Sequence, residues 1–170
     1  MTVFNRNPQN TNLLQPTKFL LTFNRLKDTT YFCQTVEIPS ISLGEVDRAS
    51  PFLDMYSPGT KLAYDPLDIT FLVNEDMSSW KALYDWFLSI ADPDGFEKRD
   101  HSTELQTNKK LSDATLTILN NLNNPILRIQ FTNCFPLSMS SIRFDTTQDA
   151  STIITCDATF RYQSYKYLTV

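Results

Sequence analysis

The strongest constraint on the fold is a strict two-residue alternation across residues 154–163, near the carboxyl end of the chain. One side of this segment is apolar and the other is polar. The apolar side is Ile154, Cys156, Ala158, Phe160 and Tyr162, and the polar side is Thr155, Asp157, Thr159, Arg161 and Gln163. Because successive side chains of a strand point to opposite faces, the pattern predicts a β-strand with one face on a core and one polar face.

Other segments show weaker forms of the same pattern and predict an antiparallel, mainly β fold. The predicted strands cover residues 18–24, 30–38, 60–64, 67–73, 113–119 and 126–132. One helix is predicted at Ser78–Ile90, with Trp80, Leu83, Tyr84 and Phe87 on one stripe. We therefore expect a β-barrel or sandwich with one flanking α-helix, and we expect Trp80, Leu83 and Phe87 to be buried in it.

The length of 170 residues fits one domain. Residues 1–16 are rich in Asn, Gln and Pro and predict a flexible amino-terminal arm. Residues 17–170 then form the single domain. Within it, the charged stretch 93–111 is interpreted as an exposed insertion loop, and residues 39–59, with several prolines and glycines and no clear period, as a long loop.

The loop at 39–59 carries apolar side chains that have no periodic partner in their own segment. Left in solvent they would form the kind of patch that marks an interaction site. We predict an intersubunit contact through Leu43, Arg48, Phe52, Leu53, Met55 and Tyr56. The alternative is that the loop folds back over its own barrel.

No residue pattern in the chain predicts enzymatic chemistry, a cofactor or a metal. His101 is the single histidine and lies in the charged loop, and the acidic pair Glu75-Asp76 is explained by its position before the predicted helix. The three cysteines match no zinc spacing, and no phosphate-binding glycine motif is present. A net charge of −4 argues against a protein that grips nucleic acid by its phosphates.

Four segments, in their order and spacing, resemble the tail tube proteins of contractile-tailed bacteriophages. The first is the strand pair at 16–23 and 32–39, which ends in Ile38-Pro39, and the second is the strand at 67–76 that runs into the helix. The third is residues 129–136, which end in Phe135-Pro136, and the fourth combines 142–145 with 158–162.

The resemblance implies a structural protein that assembles with itself. Members of the family form homo-hexameric, stacked rings in which strands from six subunits close into one larger barrel. The resemblance also implies contacts with tail sheath and with baseplate or terminator proteins, and DNA that passes through the lumen without specific binding. The polar side of the last strand (Thr155, Asp157, Thr159, Arg161 and Gln163) would line that lumen, and a solvated outer face is the alternative.

The predicted function is a structural subunit of a contractile tail tube. A baseplate-proximal initiator ring and a head-proximal terminator ring are alternatives with the same fold, and a small ligand-binding β-barrel is an alternative of another class. The chain shows no signal peptide and no apolar run of membrane-spanning length. We therefore expect assembly in the host cytoplasm, no membrane anchor, and a final location in the virion tail.

Overall fold

The computed structural model describes residues 11–26, 32–93, 95, 110–149 and 151–169. Within these ranges it contains nine β-strands and a 13-residue helix. The elements are β1 (Phe19–Phe23), β2 (Cys33–Val36), β3 (Ile41–Arg48), β4 (Met55–Tyr64), β5 (Leu67–Leu72), α1 (Ser78–Ile90), β6 (Ser112–Leu119), β7 (Pro125–Met139), β8 (Thr155–Arg161) and β9 (Ser164–Thr169).

Two antiparallel layers share the long strand β7. The first layer has the order β1-β6-β7-β9 and uses the amino-terminal half of β7, while the second has the order β7-β8-β5-β2 and uses its carboxyl-terminal half. Each layer therefore has four strands, with β7 counted in both. This arrangement confirms the predicted mainly β, antiparallel fold with a flanking helix.

The chain changes layer twice at one corner. Asn133 sits between the two halves of β7 with a left-handed φ of 55°, and Gln163 lies between β8 and β9. The Asn133 Nδ2 donates a hydrogen bond to Gln163 Oε1 at 2.6 Å, and Gln163 N donates to Thr132 O at 3.0 Å. Asparagine tolerates this backbone region better than most residues, so it suits the bend.

The core fills the space between the layers and the helix. Phe23 of β1 and Phe160 of β8 meet with ring centroids 4.9 Å apart, and both contact the fully buried Trp86 of α1. The apolar side of β8 is buried as predicted, through Cys156, Ala158 and Phe160. Alternation of side chains along β8 therefore delivers one face to the core.

Of the three helix residues predicted to be buried, Leu83 is buried, whereas Trp80 and Phe87 are half-buried and pack against the edge of the core. The core face of the helix also carries Trp86. The helix has apolar residues on both stripes, and the indole N–H of the buried Trp86 donates a hydrogen bond to Lys110 O at 2.8 Å. Trp80 also stacks on Tyr84, with ring centroids 5.3 Å apart.

The interpretation of residues 39–59 as a long loop is wrong. Most of the segment belongs to β3 and β4, which pair only with each other over Ile41–Arg48 and Met55–Tyr64. Alternation is missing from the sequence because neither face of this pair packs on the core, so no face has to be apolar.

The predicted arm and insertion loop lie largely outside the described residues. Residues 1–10 and most of 93–111, including His101, are in this group. Residues 11–17 are exposed and have no helix or strand. Glu75 and Asp76 precede the helix without capping it, because the N-cap position is Met77 and no side chain bonds there.

Candidate assembly surfaces

The pair β3–β4, with its turn, extends the second layer beyond its end; we call residues 41–64 the ribbon. Glu37 N donates to Asp68 O at 3.1 Å, and Asp65 N donates to Ser40 O at 3.2 Å. These bonds join the β2–β5 pairing to the β3–β4 pairing, so one antiparallel ladder runs from the layer into the ribbon. The ribbon therefore leaves the domain along the strand direction.

The ribbon exposes large apolar side chains along its length. All eight residues of β3 are exposed, and Phe52 in the turn is 98% exposed. The exposed apolar side chains are Ile41, Leu43, Val46, Phe52, Leu53, Met55, Tyr56 and Leu62. The six predicted contact residues all lie on this ribbon, and none of them folds back over the barrel. Their role as an intersubunit contact stays a prediction.

The base of the ribbon is fixed by the corner after β8. Tyr162 Oη donates to Asp65 O at 2.7 Å, Tyr165 Oη donates to Pro39 O at 3.3 Å, and Arg161 Nη1 donates to Tyr64 O at 3.2 Å. Burial, reinforced by the nearby Tyr165 and Asp65, raises the pKa of Tyr162 to about 12. The phenol therefore remains a hydrogen-bond donor at any physiological pH.

The ribbon is also shaped by a close contact at its middle. The register shifts between Leu43 and Glu45, which marks a β-bulge. At this point a Cβ added to Gly59 would lie 2.7 Å from the carbonyl carbon of Gly44. A Cβ added to Gly44 would meet only Lys61 O at 3.8 Å, which is an ordinary contact. The absence of a side chain is therefore required at Gly59 and not at Gly44.

The outer face of the second layer is polar and weakly acidic. Thr155, Asp157 and Arg161 are exposed on β8 and Thr159 is half-buried, so four of the five predicted residues share this face. Gln163 does not join them, because it lies at the corner and bonds Asn133. Sequence analysis missed the contribution of β5, whose Asp68 could have been found from the alternation along residues 67–73.

Hydrogen bonds between neighbouring strands order this face. Thr70 Oγ1 donates to Asp157 Oδ1 and Thr159 Oγ1 donates to Asp68 Oδ1, both at 2.7 Å. Beside them runs a shallow groove lined by Thr35, Glu37, Asp68, Thr70, Asp157 and Thr159. Carboxylates therefore outnumber the single cation of β8, Arg161, and the face repels a polyanion.

A second, apolar groove lies at the other end of the second layer; we call it the Phe144 groove. Its walls are Val73, Met77, Phe144, Ile153 and Ile154, with Asn74, Glu75 and Thr152 at its edge. Phe144 is 74% exposed and Ile153 is 68% exposed. Sequence analysis missed this groove because its residues come from two segments about 70 positions apart, and only the isolated apolar side chains in the polar stretch 141–153 hinted at it.

The described part of the chain shows no activated thiol and no metal-binding cluster. Burial raises the pKa of Cys33 to about 11 and that of Cys134 to about 12, so both remain protonated thiols. Among the described residues, no group of three His, Cys, Asp or Glu side chains is arranged to hold a metal. In that same part of the chain, no helix has the length and hydropathy to cross a membrane.

Comparison with known proteins places this geometry in context. A family model described as phage tail tube protein matches residues 8–168. The chain is 27% identical over 164 residues to the tail tube terminator protein of Enterobacteria phage T4, covering 91% of this chain and 89% of that protein.

The fold is shared with solved structures of contractile injection systems, among them the following two. The tube terminating cap of the anti-feeding prophage aligns over 100% of both chains with a TM-score of 0.68 and 16% identity. A chain of the extended sheath–tube complex of the extracellular contractile injection system PVC aligns over 94% of both chains, with a TM-score of 0.63 and 19% identity.

Proposed function

The chain belongs to the phage tail tube protein family, and we propose that it forms the ring that closes a contractile tail tube at one end. The observation that carries this proposal is the similarity to the tail tube terminator of phage T4 across about nine-tenths of both proteins. The family is structural, which confirms the prediction of a protein without enzymatic activity. Membership of this family also argues against the alternative of a small ligand-binding β-barrel.

The second layer has the strand arrangement that a closed ring needs. Its two edges, β2 and the carboxyl-terminal half of β7, have no further strand partner among the described residues. The four strands alternate in direction, so rotation about an axis along them brings β2 of one copy antiparallel to β7 of the next. Closure of six copies would remove both free edges, which otherwise attract non-specific pairing.

In a closed ring, the polar face of the second layer would point toward the lumen. The opposite face of the second layer is covered by the first layer and α1, so only the face with Asp68 and Asp157 is free to line a lumen. Carboxylates on that wall repel DNA phosphates, and a ring of them would let DNA pass without adhering. The single cation Arg161 is occupied with the backbone at the base of the ribbon.

The ribbon supplies a contact between copies. Its exposed Phe52, Leu53, Met55 and Tyr56 would lose unfavourable exposure to water on association. Its length carries these side chains beyond the edge of the domain, where a neighbouring copy can cover them. Sheath, baseplate and neighbouring tube proteins are the further partners that we propose for the assembled ring.

The repeated ring of the tube itself is the second candidate. It is favoured by the family model and by the similarity to the PVC sheath–tube complex. A tube subunit and a terminator would both form a ring of this kind. Rings of a tube subunit, however, stack on one another without limit.

Electron microscopy separates the two candidates. The purified protein should form discrete six-fold rings that do not lengthen with concentration, and these rings should cap preassembled tubes of a contractile tail. Long tubes grown from the protein alone would instead identify a tube subunit. A protein that stays monomeric, even with tubes present, would refute both.

A further inference from the structure

The outer face of the first layer is basic, although the chain as a whole is acidic. The inner face of this layer supplies Leu21, Leu116 and Ile129 to the core, so the residues that alternate with them point away from the core. The register places them in two rows across the four strands, Leu20, Thr117, Arg128 and Leu168 in one and Thr22, Thr115, Gln130 and Lys166 in the other. We call these eight residues the basic face.

Two cations of the basic face have no partner of opposite charge. Arg128 and Lys166 are both exposed and make no ion pair or side-chain hydrogen bond among the described residues. Arg128 lies opposite Leu168 and Lys166 lies opposite Gln130, so the two cations are diagonal neighbours, about 7 Å apart. Like charges at this separation repel each other, and an anion that covers both would relieve the repulsion.

No carboxylate of the same layer is placed to neutralise them. Asp113 is the one acidic residue in strands β1, β6, β7 and β9, and it lies at the corner end of β6. Its Oδ1 accepts a hydrogen bond from Asn133 N at 3.0 Å. A third cation, Lys18, stands two residues before Leu20 and donates to the neutral Asn123 Oδ1 at 2.7 Å. The positive charge is therefore left for an anion outside the subunit.

Aliphatic side chains flank the cations and indicate what carries that anion. Leu20 and Leu168 are 45% and 50% exposed and lie at the two ends of the row that contains Arg128. Exposed leucines gain from contact with the apolar groups of a protein and gain little from the phosphates of a nucleic acid. The combination of charge and aliphatic surface therefore favours a protein partner over DNA.

The proposed ring turns the basic face away from the lumen. The first layer packs on the core side of the second layer, whose opposite face carries Asp68 and Asp157. Six copies would therefore present six basic faces to whatever surrounds the ring. A second copy of the chain in the same ring cannot answer them with Asp68 and Asp157, because those carboxylates face the lumen.

We propose that the basic face docks an acidic surface of a different protein that surrounds the ring. Two carboxylates of the partner would lie against Arg128 and Lys166, and its aliphatic side chains against Leu20 and Leu168. Alternate residues on one face of a strand are about 7 Å apart, which matches the spacing of the two cations, so an extended acidic segment fits best. The outward direction of this face rests on the proposed ring-forming function, whereas its charge does not.

Peptide binding tests the chemistry of the face. The probe is a short fluorescent peptide in which Glu alternates with Leu and Thr, and its control has Gln in place of every Glu. At low salt the Glu peptide should bind the protein at least about tenfold more tightly than the Gln peptide, and added salt should remove the difference. Equal binding of the two peptides would overturn the proposal.

Charge reversal places the binding on named residues. Arg128→Glu and Lys166→Glu should each weaken binding of the Glu peptide at least about fivefold, since each sets a like charge against it. Lys81→Glu makes the same change of charge at an exposed residue of α1 and should change binding less than about twofold. The double variant Arg128→Glu, Lys166→Glu should instead prefer a peptide with Lys in place of Glu. Equal losses for Lys81→Glu and the other two variants would show a response to net charge alone, and the basic face would be refuted as the site.

Two further measurements separate this inference from its alternatives. A labelled DNA duplex that binds more tightly than the Glu peptide, and loses binding in the same variants, would make the partner a nucleic acid and overturn the proposal. Sedimentation velocity of the same samples reports ring formation. Rings that do not distinguish the Glu and Gln peptides would refute the docking face and leave the ring-forming function standing. Selective binding by a protein that forms no rings would do the reverse, removing the ring and keeping the acidic partner.

Discussion

The phenol of Tyr162 donates a hydrogen bond to the backbone carbonyl of Asp65 at 2.7 Å, joining the corner after β8 to the base of the ribbon. The same turn carries Arg161, whose guanidinium reaches Tyr64 O. Arg161, on the proposed lumen wall, and its neighbour Tyr162 therefore both hold the base of the ribbon. The orientation of the ribbon is set by the domain before any partner binds.

Removing that phenol should weaken the protein in a pH-dependent way. The pKa of Tyr162 is raised from 10 to about 12, so its contribution to stability is complete below pH 10 and is lost as the pH rises toward 12. In Tyr162→Phe this part of the alkaline loss should disappear, and the unfolding free energy at neutral pH should fall by about 1 kcal/mol. Tyr167→Phe, at an exposed tyrosine, is the control. Denaturant titrations from pH 7 to 11.5 that superimpose for Tyr162→Phe and the unsubstituted protein would contradict the assignment.

The bulge in the ribbon allows a matched pair of glycine substitutions. Gly59→Ala forces a methyl group against the backbone of Gly44, whereas Gly44→Ala meets only an ordinary contact. We expect Gly59→Ala to abolish ring assembly and to speed amide hydrogen exchange in β3 and β4, while the rest of the domain stays protected. Gly44→Ala should assemble nearly normally. Equal behaviour of the two variants would show that the close approach does not shape the ribbon.

The helix offers a test of the core. Trp86 is fully buried and Phe87, next to it, is half-buried. Trp86→Ala should cost about 4 kcal/mol of unfolding free energy, because it leaves a cavity and removes the indole N–H that donates to Lys110 O. Phe87→Ala should cost clearly less, about 1–2 kcal/mol. A larger loss for Phe87→Ala in urea titrations would place the helix in the orientation that the sequence first suggested.

How far the sequence predicts the structure depends on how each element is buried. The strand within residues 154–163 was predicted correctly over Thr155–Arg161, because β8 has one buried and one exposed face and alternation reports that difference. The ribbon was missed as a pair of strands because both of its faces are exposed. The helix has large apolar side chains on two stripes, so periodicity alone could not choose between Trp80 and Trp86.

The ribbon and the Phe144 groove show which kinds of surface a sequence can reveal and which it cannot. The contact residues on the ribbon were found because apolar side chains without a periodic partner are conspicuous in one segment. The Phe144 groove was not found, since it exists only where residues after β5 meet residues before β8. A surface assembled from distant segments leaves little trace in either segment alone.

The ribbon contact predicts an assembly defect without a folding defect. Phe52→Ser combined with Met55→Ser removes two exposed apolar side chains, so the folded subunit should keep its unfolding free energy within about 0.5 kcal/mol. Sedimentation velocity should show loss of rings. Leu122→Ser, at an exposed leucine outside the ribbon, should leave assembly unchanged. A double variant that assembles normally, or that unfolds before it loses assembly, would show that these side chains serve their own subunit.

The proposed lumen face predicts how the ring treats DNA. Asp68 and Asp157 are the carboxylates of neighbouring strands on that face, and each is held by a threonine hydroxyl. Asp157→Lys changes the charge of every subunit by two units, and in a closed hexamer the new cations would converge on one narrow channel. Clefts lined by one sign of charge concentrate the field, so the effect on a polyanion should far exceed that of the same change elsewhere.

The measurement is fluorescence anisotropy of a labelled duplex with assembled rings at low salt. The unsubstituted ring should bind weakly, the Asp157→Lys ring at least about tenfold more tightly, and the gain should shrink steeply with added salt as counterions compete for the phosphates. Asp85→Lys is the matched control, because Asp85 is an exposed carboxylate on α1, far from the polar face of β8. Equal gains for Asp85→Lys and Asp157→Lys would mean that β8 faces open solvent, and the polar face would then be the outside of the ring.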